Sequence, residues 1–196
     1  MSIRYLIGID EAGRGPLAGP VAVGAVLVPI DFDWKLVHGA KDSKQMTESA
    51  RASLHVKLQA LQKEKQLRFA VSLVSSTYID SKGIVSAIKL ALSRAIFKLD
   101  ANPKECRVLL DGGLYAPEEF DHQETIIRGD DSEPVISLAS IAAKVTRDKY
   151  MKRLSTKYPQ YGFEIHKGYG TAMHRDRIRK NGLSDIHRET FCSAFT

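Results

Sequence analysis

Three apolar runs in this chain each end in a carboxylate, and those acids are the residues best placed to do chemistry. Tyr5-Leu6-Ile7-Gly8-Ile9 leads into Asp10 and Glu11, Arg107-Val108-Leu109-Leu110 into Asp111, and Thr125-Ile126-Ile127-Arg128-Gly129 into Asp130. Short runs rich in Ile, Leu and Val, flanked by glycine and acid, read as buried strands of a covered sheet. In such sheets ligands bind outside the carboxyl ends of strands. Acids gathered there repel one another unless a cation neutralises them, and hard oxygen donors suit Mg²⁺ or Mn²⁺. The chain therefore reads first as a metal-dependent enzyme.

Further motifs carry phosphate or sugar chemistry, each beside a plainer alternative. In Asp10-Glu11-Ala12-Gly13-Arg14-Gly15-Pro16 the glycines let the backbone approach a ligand, and Arg14 can grip a phosphate with its planar fork. The same residues also read as an exposed turn. A dinucleotide loop built on Gly13, Gly15 and Gly19 fits poorly, because its third glycine belongs at Ala18 and a helix must follow, whereas Pro20 and Val21-Ala22-Val23 come next. Lys44, in Asp42-Ser43-Lys44, offers a phosphate contact or belongs to a helix cap. Ser140 and Lys144 stand four residues apart on one helix face and can meet one phosphate, although a solvated lysine also fits. Tyr169 lies between Gly168 and Gly170 in a basic neighbourhood, where it is exposed more easily than a core tyrosine and can stack on sugars or bases, although a tyrosine packed over a loop also fits. The six histidines show no zinc spacing with Cys106 or Cys192, and the glycine-rich Lys-Ser/Thr loop of nucleotide hydrolases is absent from the sequence.

Positioning these groups requires a layered fold. Strands are expected over 5–10, 21–28, 67–75, 107–111 and 124–128. Helices are expected over 47–66, with Thr47 as cap and Ala50, Leu54, Leu58 and Leu61 on one face, and over 84–99, 137–158 and 171–180, the last ending at Asn181-Gly182. Strands interleaved with helices give an α/β domain. The pattern leaves strand order open, but two strands joined through residues 13–20 should pair antiparallel.

The 196 residues suit one domain, 1–196, with a basic helical part from about 150. Composition is that of a soluble globular chain, 43% hydrophobic and 27% charged. No apolar stretch approaches the ~20 residues that span a bilayer. The N-terminus has no cleavable signal pattern, and two distant cysteines suit a reducing cytoplasm. Net charge is +6, but residues 141–180 hold eleven Lys/Arg against three acids, which leaves the remainder slightly acidic. A basic region beside an acidic cluster suits a polyanion laid across a metal site. A solvated helix face accounts for the same charges equally well, and a non-catalytic nucleic-acid-binding module, which would bind in a salt-sensitive way without cutting, is a further reading.

Taken in order, these segments resemble ribonuclease HII, the bacterial type 2 ribonuclease H. The likeness runs through Gly8-Ile9-Asp10-Glu11-Ala12-Gly13-Arg14-Gly15, Asp42-Ser43-Lys44, Leu110-Asp111-Gly112, Gly129-Asp130, the stretch from Ala139 to Asp148, and His166-Lys167-Gly168-Tyr169-Gly170-Thr171. It implies a ribonuclease H-like α/β fold, with a central mixed five-stranded sheet flanked by helices and a helical C-terminal region. It also implies an endonuclease that cuts the RNA strand of RNA·DNA hybrids and cuts 5′ to ribonucleotides embedded in duplex DNA, with a role in their removal. By that likeness Asp10, Glu11, Asp111 and Asp130 are the metal-binding carboxylates for two Mn²⁺ or Mg²⁺ ions, and the products carry 3′-hydroxyl and 5′-phosphate ends. Gly13, Arg14, Gly15 and Tyr169 recognise the ribonucleotide junction, and Lys44, Ser140 and Lys144 contact phosphates. A cytoplasmic monomer with no membrane partner is expected. The related type 3 enzymes usually carry an extra N-terminal domain, for which the position of Asp10 so near the start of the chain leaves no room. Where the family usually has Ala-Lys-Ser after Gly-Asp, this chain has Asp131-Ser132-Glu133-Pro134. Asp131 is thus a rival to Asp130, which keeps the family spacing to the 140–144 helix.

Overall fold

The computed structural model describes residues 2–39 and 46–194, so the expected phosphate contact at Lys44, with Asp42 and Ser43, lies outside the described residues. Strand β1 (Tyr5–Ala12) pairs antiparallel with β2 (Val21–Pro29), as their short link requires. Helix α1 (Glu48–Lys63) leads to β3 (Arg68–Val74), antiparallel to β2. Helices α2 (Ser76–Lys82) and α3 (Ile84–Phe97) precede β4 (Cys106–Asp111) and β5 (Gln123–Ile126), which extend the sheet in parallel from β1. The sheet order is β3-β2-β1-β4-β5, the mixed five-stranded arrangement expected. The chain continues through α4 (Gly129–Ser132), α5 (Pro134–Lys157), α6 (Phe163–His166), α7 (Ala172–Asn181) and α8 (Glu189–Cys192).

Both faces of the sheet are covered, which is why β2 reads as an unbroken apolar run. Its Val21, Val23, Ala25 and Leu27 enter the core beneath α3, while Val26 and Val28 enter the core beneath α1 and α5. Helix α1 is capped as expected, with the Thr47 hydroxyl accepting from the Ala50 N–H at 3.2 Å. Its buried face is Leu54, His55, Leu58 and Leu61; Ala50 is exposed, one turn too early to reach the core. Helix α5 begins at Pro134 rather than residue 137, because proline at the first helical position needs no N–H partner. Strand β5 stops at Ile126 rather than 128, since its partner β4 ends at Asp111 opposite that residue.

Helix α5 sits directly on β1 and β2. A Cβ on Gly8 would lie 2.2 Å from the Val135 carbonyl oxygen, and one on Gly24 2.3 Å from that of Ala139. Only residues without a side chain permit this contact between helix backbone and sheet. Gly24 is the register partner of Asp10, so the closest approach occurs beside the first acid.

Candidate active site

Side-chain alternation along β1 and β4 decides which way the acids face. Ile7, Ile9, Val108 and Leu110 point into the α3-side core. Asp10 and Asp111 therefore point to the α5 side, at the carboxyl ends of adjacent parallel strands whose register pairs Ile9 with Leu110. Asp130 arrives on α4, immediately after β5. Each of the three acids offers an oxygen, and these atoms all lie within 4.8 Å of one another. Asp10 and Asp130 are each 4% exposed and Asp111 is partly buried.

Local hydrogen bonds fix this arrangement. The Glu11 N–H donates to Asp10 Oδ1 at 2.7 Å, and the Gly129 N–H to Asp111 Oδ1 at 2.8 Å. The Ser137 hydroxyl donates to the Asp130 carbonyl at 2.6 Å and so ties α4 to α5. Burial raises the Asp10 carboxyl well above its ordinary range; a hydrogen bond from Ser140 opposes this, while the charges of Glu11 and Asp111 add to it. Three crowded acids of this kind are costly as anions and fit a hard divalent cation.

Glu11 is placed differently. Strand β1 runs on to Ala12, so Glu11 is still within the strand and alternation turns it away from Asp10. It is not part of the three-acid group. Its Oε1 accepts from Arg14 at 3.5 Å, and burial raises its carboxyl while Arg14 opposes the rise. Asp131, the rival to Asp130, is exposed and pairs with Arg128 at 2.8 Å.

A cleft of about 260 Å³ gathers Asp10, Glu11, Gly13, Arg14, Gly15, Asp111, Ser140, Lys144 and Tyr169. Every described candidate except Asp130 thus lines one depression. A larger hollow of about 530 Å³ lies at the opposite end of β1, beside Tyr5 and Arg68, away from the acids. Lys144 Nζ is held 2.9 Å from Asp148 Oδ1 and 5.4 Å from the centre of the Tyr169 ring. Arg147 lies 5.6 Å from the same ring, which is 39% exposed. The tyrosine is therefore backed by two cations and open to the cleft.

Two functional residues escaped the sequence reading. Arg147 and Arg188 are both fully buried, and each donates to three carbonyls of the loops around the cleft. Arg147 reaches Pro20, Ala18 and Lys167 at 2.8–3.1 Å. Arg188 reaches Gly19, Arg14 and Gly13 at 2.7–3.0 Å. Burial, with the neighbouring Arg147 charge adding to it, lowers Arg188 to about 9, so it remains a cation at neutral pH. A Cβ on Gly13 would lie 2.0 Å from Arg147 Nε, and its φ of 87° also favours glycine. The presence of Arg147 inside the Ala139–Asp148 motif was a signal; Arg188 had none.

The family model described as Ribonuclease HII matches residues 7–194. The ribonuclease HII of Ruminiclostridium cellulolyticum is 42% identical over 192 residues, covering 98% of this chain and 71% of that protein. Among solved structures, the ribonuclease HII of Archaeoglobus fulgidus in its complex with PCNA superposes with a TM-score of 0.76 at 25% identity, covering 96% of this chain and 94% of that one. A Bst ribonuclease HIII in complex with Mn²⁺ shares the fold with a TM-score of 0.70 at 19% identity, covering 97% of this chain and 65% of that one.

Proposed function

The chain belongs to the ribonuclease HII family, and from that premise we propose that it is a divalent-metal-dependent endonuclease that cuts the RNA strand of RNA·DNA hybrids and cuts 5′ to ribonucleotides embedded in duplex DNA. The observation that carries this is the meeting of Asp10, Asp111 and Asp130 within 4.8 Å, beside a cleft that presents Arg14, Lys144 and Tyr169. We assign those three acids, with Glu11, as the metal ligands. Divalent ions held by these carboxylates would supply Lewis-acid chemistry, activating a water and offsetting negative charge at the scissile phosphate.

The residues of the chain do the rest. Arg14 exchanges Glu11 for a substrate phosphate, which frees Glu11 to turn toward the metal site. Ser140 and Lys144, on one face of α5, hold a phosphate, with Asp148 keeping the Lys144 ammonium over the cleft. The loop at Gly13, Arg14 and Gly15, held from behind by Arg188, brings backbone close to the 2′-hydroxyl, the group that marks a ribonucleotide. Tyr169 lays its ring against the following deoxyribose. The protein acts as a cytoplasmic, monomeric single domain on nucleic acid.

The test is an end-labelled duplex carrying one ribonucleotide, incubated with Mn²⁺, with Mg²⁺ and with chelator. A single metal-dependent cut 5′ to the ribonucleotide, leaving 3′-hydroxyl and 5′-phosphate ends, is expected. Salt-sensitive binding without scission in either metal would favour a binding module instead.

A further inference from the structure

Behind Tyr169 runs a chain of hydrogen bonds in which each imidazole nitrogen has one role. His187 Nδ1 accepts the Ser184 N–H at 2.9 Å and lies 2.8 Å from the Ser184 hydroxyl, which then donates to it as well, and this puts the His187 proton on Nε2. His187 Nε2 lies 3.1 Å from His174 Nε2 and donates to it. His174 therefore carries its proton on Nδ1, which donates to the Tyr169 carbonyl at 3.0 Å. Alongside, His166 accepts the Gly168 N–H at Nδ1 and donates from Nε2 to the Tyr161 carbonyl at 2.9 Å, its ring stacked on His174 with centroids 4.2 Å apart. His174 is fully buried and His187 is 2% exposed. Burial pulls both down to about 4, which keeps them neutral and preserves this pattern of donors and acceptors at neutral pH.

None of the three histidines lines the cleft, and none joins a group of metal-ligating side chains among the described residues. The side-chain link from His174 to a cleft residue is its hydrogen bond to the Tyr169 carbonyl. Tyr169 is flanked by two glycines, one of them Gly168 at φ 86°, so its placement rests on hydrogen bonds, among them its own N–H to the His166 carbonyl at 2.9 Å. Its carbonyl is held by two donors, the Thr171 N–H at 2.8 Å and His174.

We infer that His174 is a positioning residue for Tyr169, fixing the placement of the ring over the cleft by donating from Nδ1 to its carbonyl, with His187 enforcing the tautomer that makes donation possible. This rests on the reading of Tyr169 as the residue that recognises the ribonucleotide junction. The consequence is selectivity: a loosened ring impairs cleavage at a lone ribonucleotide more than cleavage of a continuous hybrid.

Two isosteric variants separate this role from simple packing. His174→Asn places an amide N–H close to the former Nδ1 and keeps the donation to Tyr169. His174→Gln reaches the former Nε2 position, so it keeps a partner for His187 and no longer donates to the carbonyl. The readout is kcat/KM on a duplex with one ribonucleotide divided by kcat/KM on a continuous hybrid. We expect Asn to stay within about twofold of wild type and Gln to fall about five- to tenfold, the effect of removing one neutral hydrogen bond. Gln matching or exceeding Asn in this ratio overturns the inference, because a packing role follows melting temperature and not the donor position. Tyr169→Ala is measured alongside. If it lowers the ratio while Gln does not, the role of His174 fails and the junction reading stands; if it leaves the ratio unchanged, the junction reading fails and this inference with it. Imidazole ¹⁵N shifts that put the His174 proton on Nε2 would also overturn the inference.

Discussion

Gly24→Ala tests whether the seating of α5 on the sheet sets the geometry of the acids. Gly24 pairs with Asp10 in the sheet, and an added Cβ would lie 2.3 Å from the Ala139 oxygen and 3.1 Å from the Ala143 nitrogen. Both are backbone atoms of α5, so no side-chain rotation relieves the clash. Ordinary contact begins at 3.4 Å. The helix must therefore retreat by about 1 Å, and overpacking of this kind costs roughly 1–3 kcal/mol. For a chain of this size that corresponds to a melting temperature lower by about 3–10 °C. The same helix carries Ser140, which hydrogen-bonds Asp10, and Ser137, which holds the Asp130 carbonyl. Its retreat spreads the three acids, and a displacement of about 1 Å in a reacting constellation can cost on the order of 100-fold in rate. Melting in chelator and in Mn²⁺, with single-turnover cleavage of a labelled hybrid, measures both effects. Gly113→Ala is the control for melting, since a Cβ there meets nothing within 4 Å. A Gly24→Ala protein that melted with the control and cut within about threefold of wild type would refute the reasoning, because neither the overpacking cost nor the displacement would have appeared.

Asp10→Asn and Asp111→Asn should each abolish cleavage in a folded protein; near wild-type turnover in Mn²⁺ would reject the ligand assignment. Because the folded Asp10 carboxyl is raised, its charge lowers stability at neutral pH, so metal-free Asp10→Asn should melt above wild type, with the gap closing as pH falls into the carboxylate range. Added Mn²⁺ should stabilise wild type more than the variant. His174 and His187, drawn down to about 4 from 6.5, contribute stability that is full above pH 6.5 and declines as pH falls toward 4, because the unfolded chain takes up protons the folded one refuses. Urea titrations should show a slope of up to about 1.4 kcal/mol per pH unit for one such group, flattened in His187→Gln; equal slopes in the two proteins would contradict the histidine pair as its source. Arg179→Ala with Lys180→Ala should weaken hybrid binding and lower its salt slope by about 0.9 for each phosphate that is no longer neutralised. An unchanged slope would remove the C-terminal end of α7 from the polyanion track.

Much of this molecule was legible because its strands are buried on both faces, so that 21–28 or 107–111 stand out as continuous apolar runs. The Thr47 cap of α1 and the Gly182 end of α7 were legible too, whereas Thr171, read as the first residue of α7, is its N-cap and accepts the His174 N–H. Helix α2 was not, because Ser76–Lys82 is short and has no apolar period. The placing of Glu11 was hidden along with the true end of β1, since the strand runs on to Ala12 and leaves Glu11 in the cleft but outside the three-acid group. The basic C-terminal region misled in part. Arg147, Arg175 and Arg177 count toward the charge of the 141–180 segment, yet their guanidiniums are engaged with backbone carbonyls of Pro20, Gly170 and Gln160, among others. Sequence composition counts charges; it does not say which of them are tied up inside the fold.

The two buried guanidiniums also join segments that lie far apart along the chain. Arg188 closes on Gly13 across 175 residues of chain, and Arg147 on Pro20 across 127. Contacts this remote form late, after the intervening chain has been brought together. Strand β1 also pairs with β4, so its own setting in the sheet depends on residues about 100 positions later. In the folded chain the carbonyls of Gly13 and Arg14 are both held by Arg188. A loop near the start of the sequence thus draws its rigidity from a guanidinium supplied 175 residues further on.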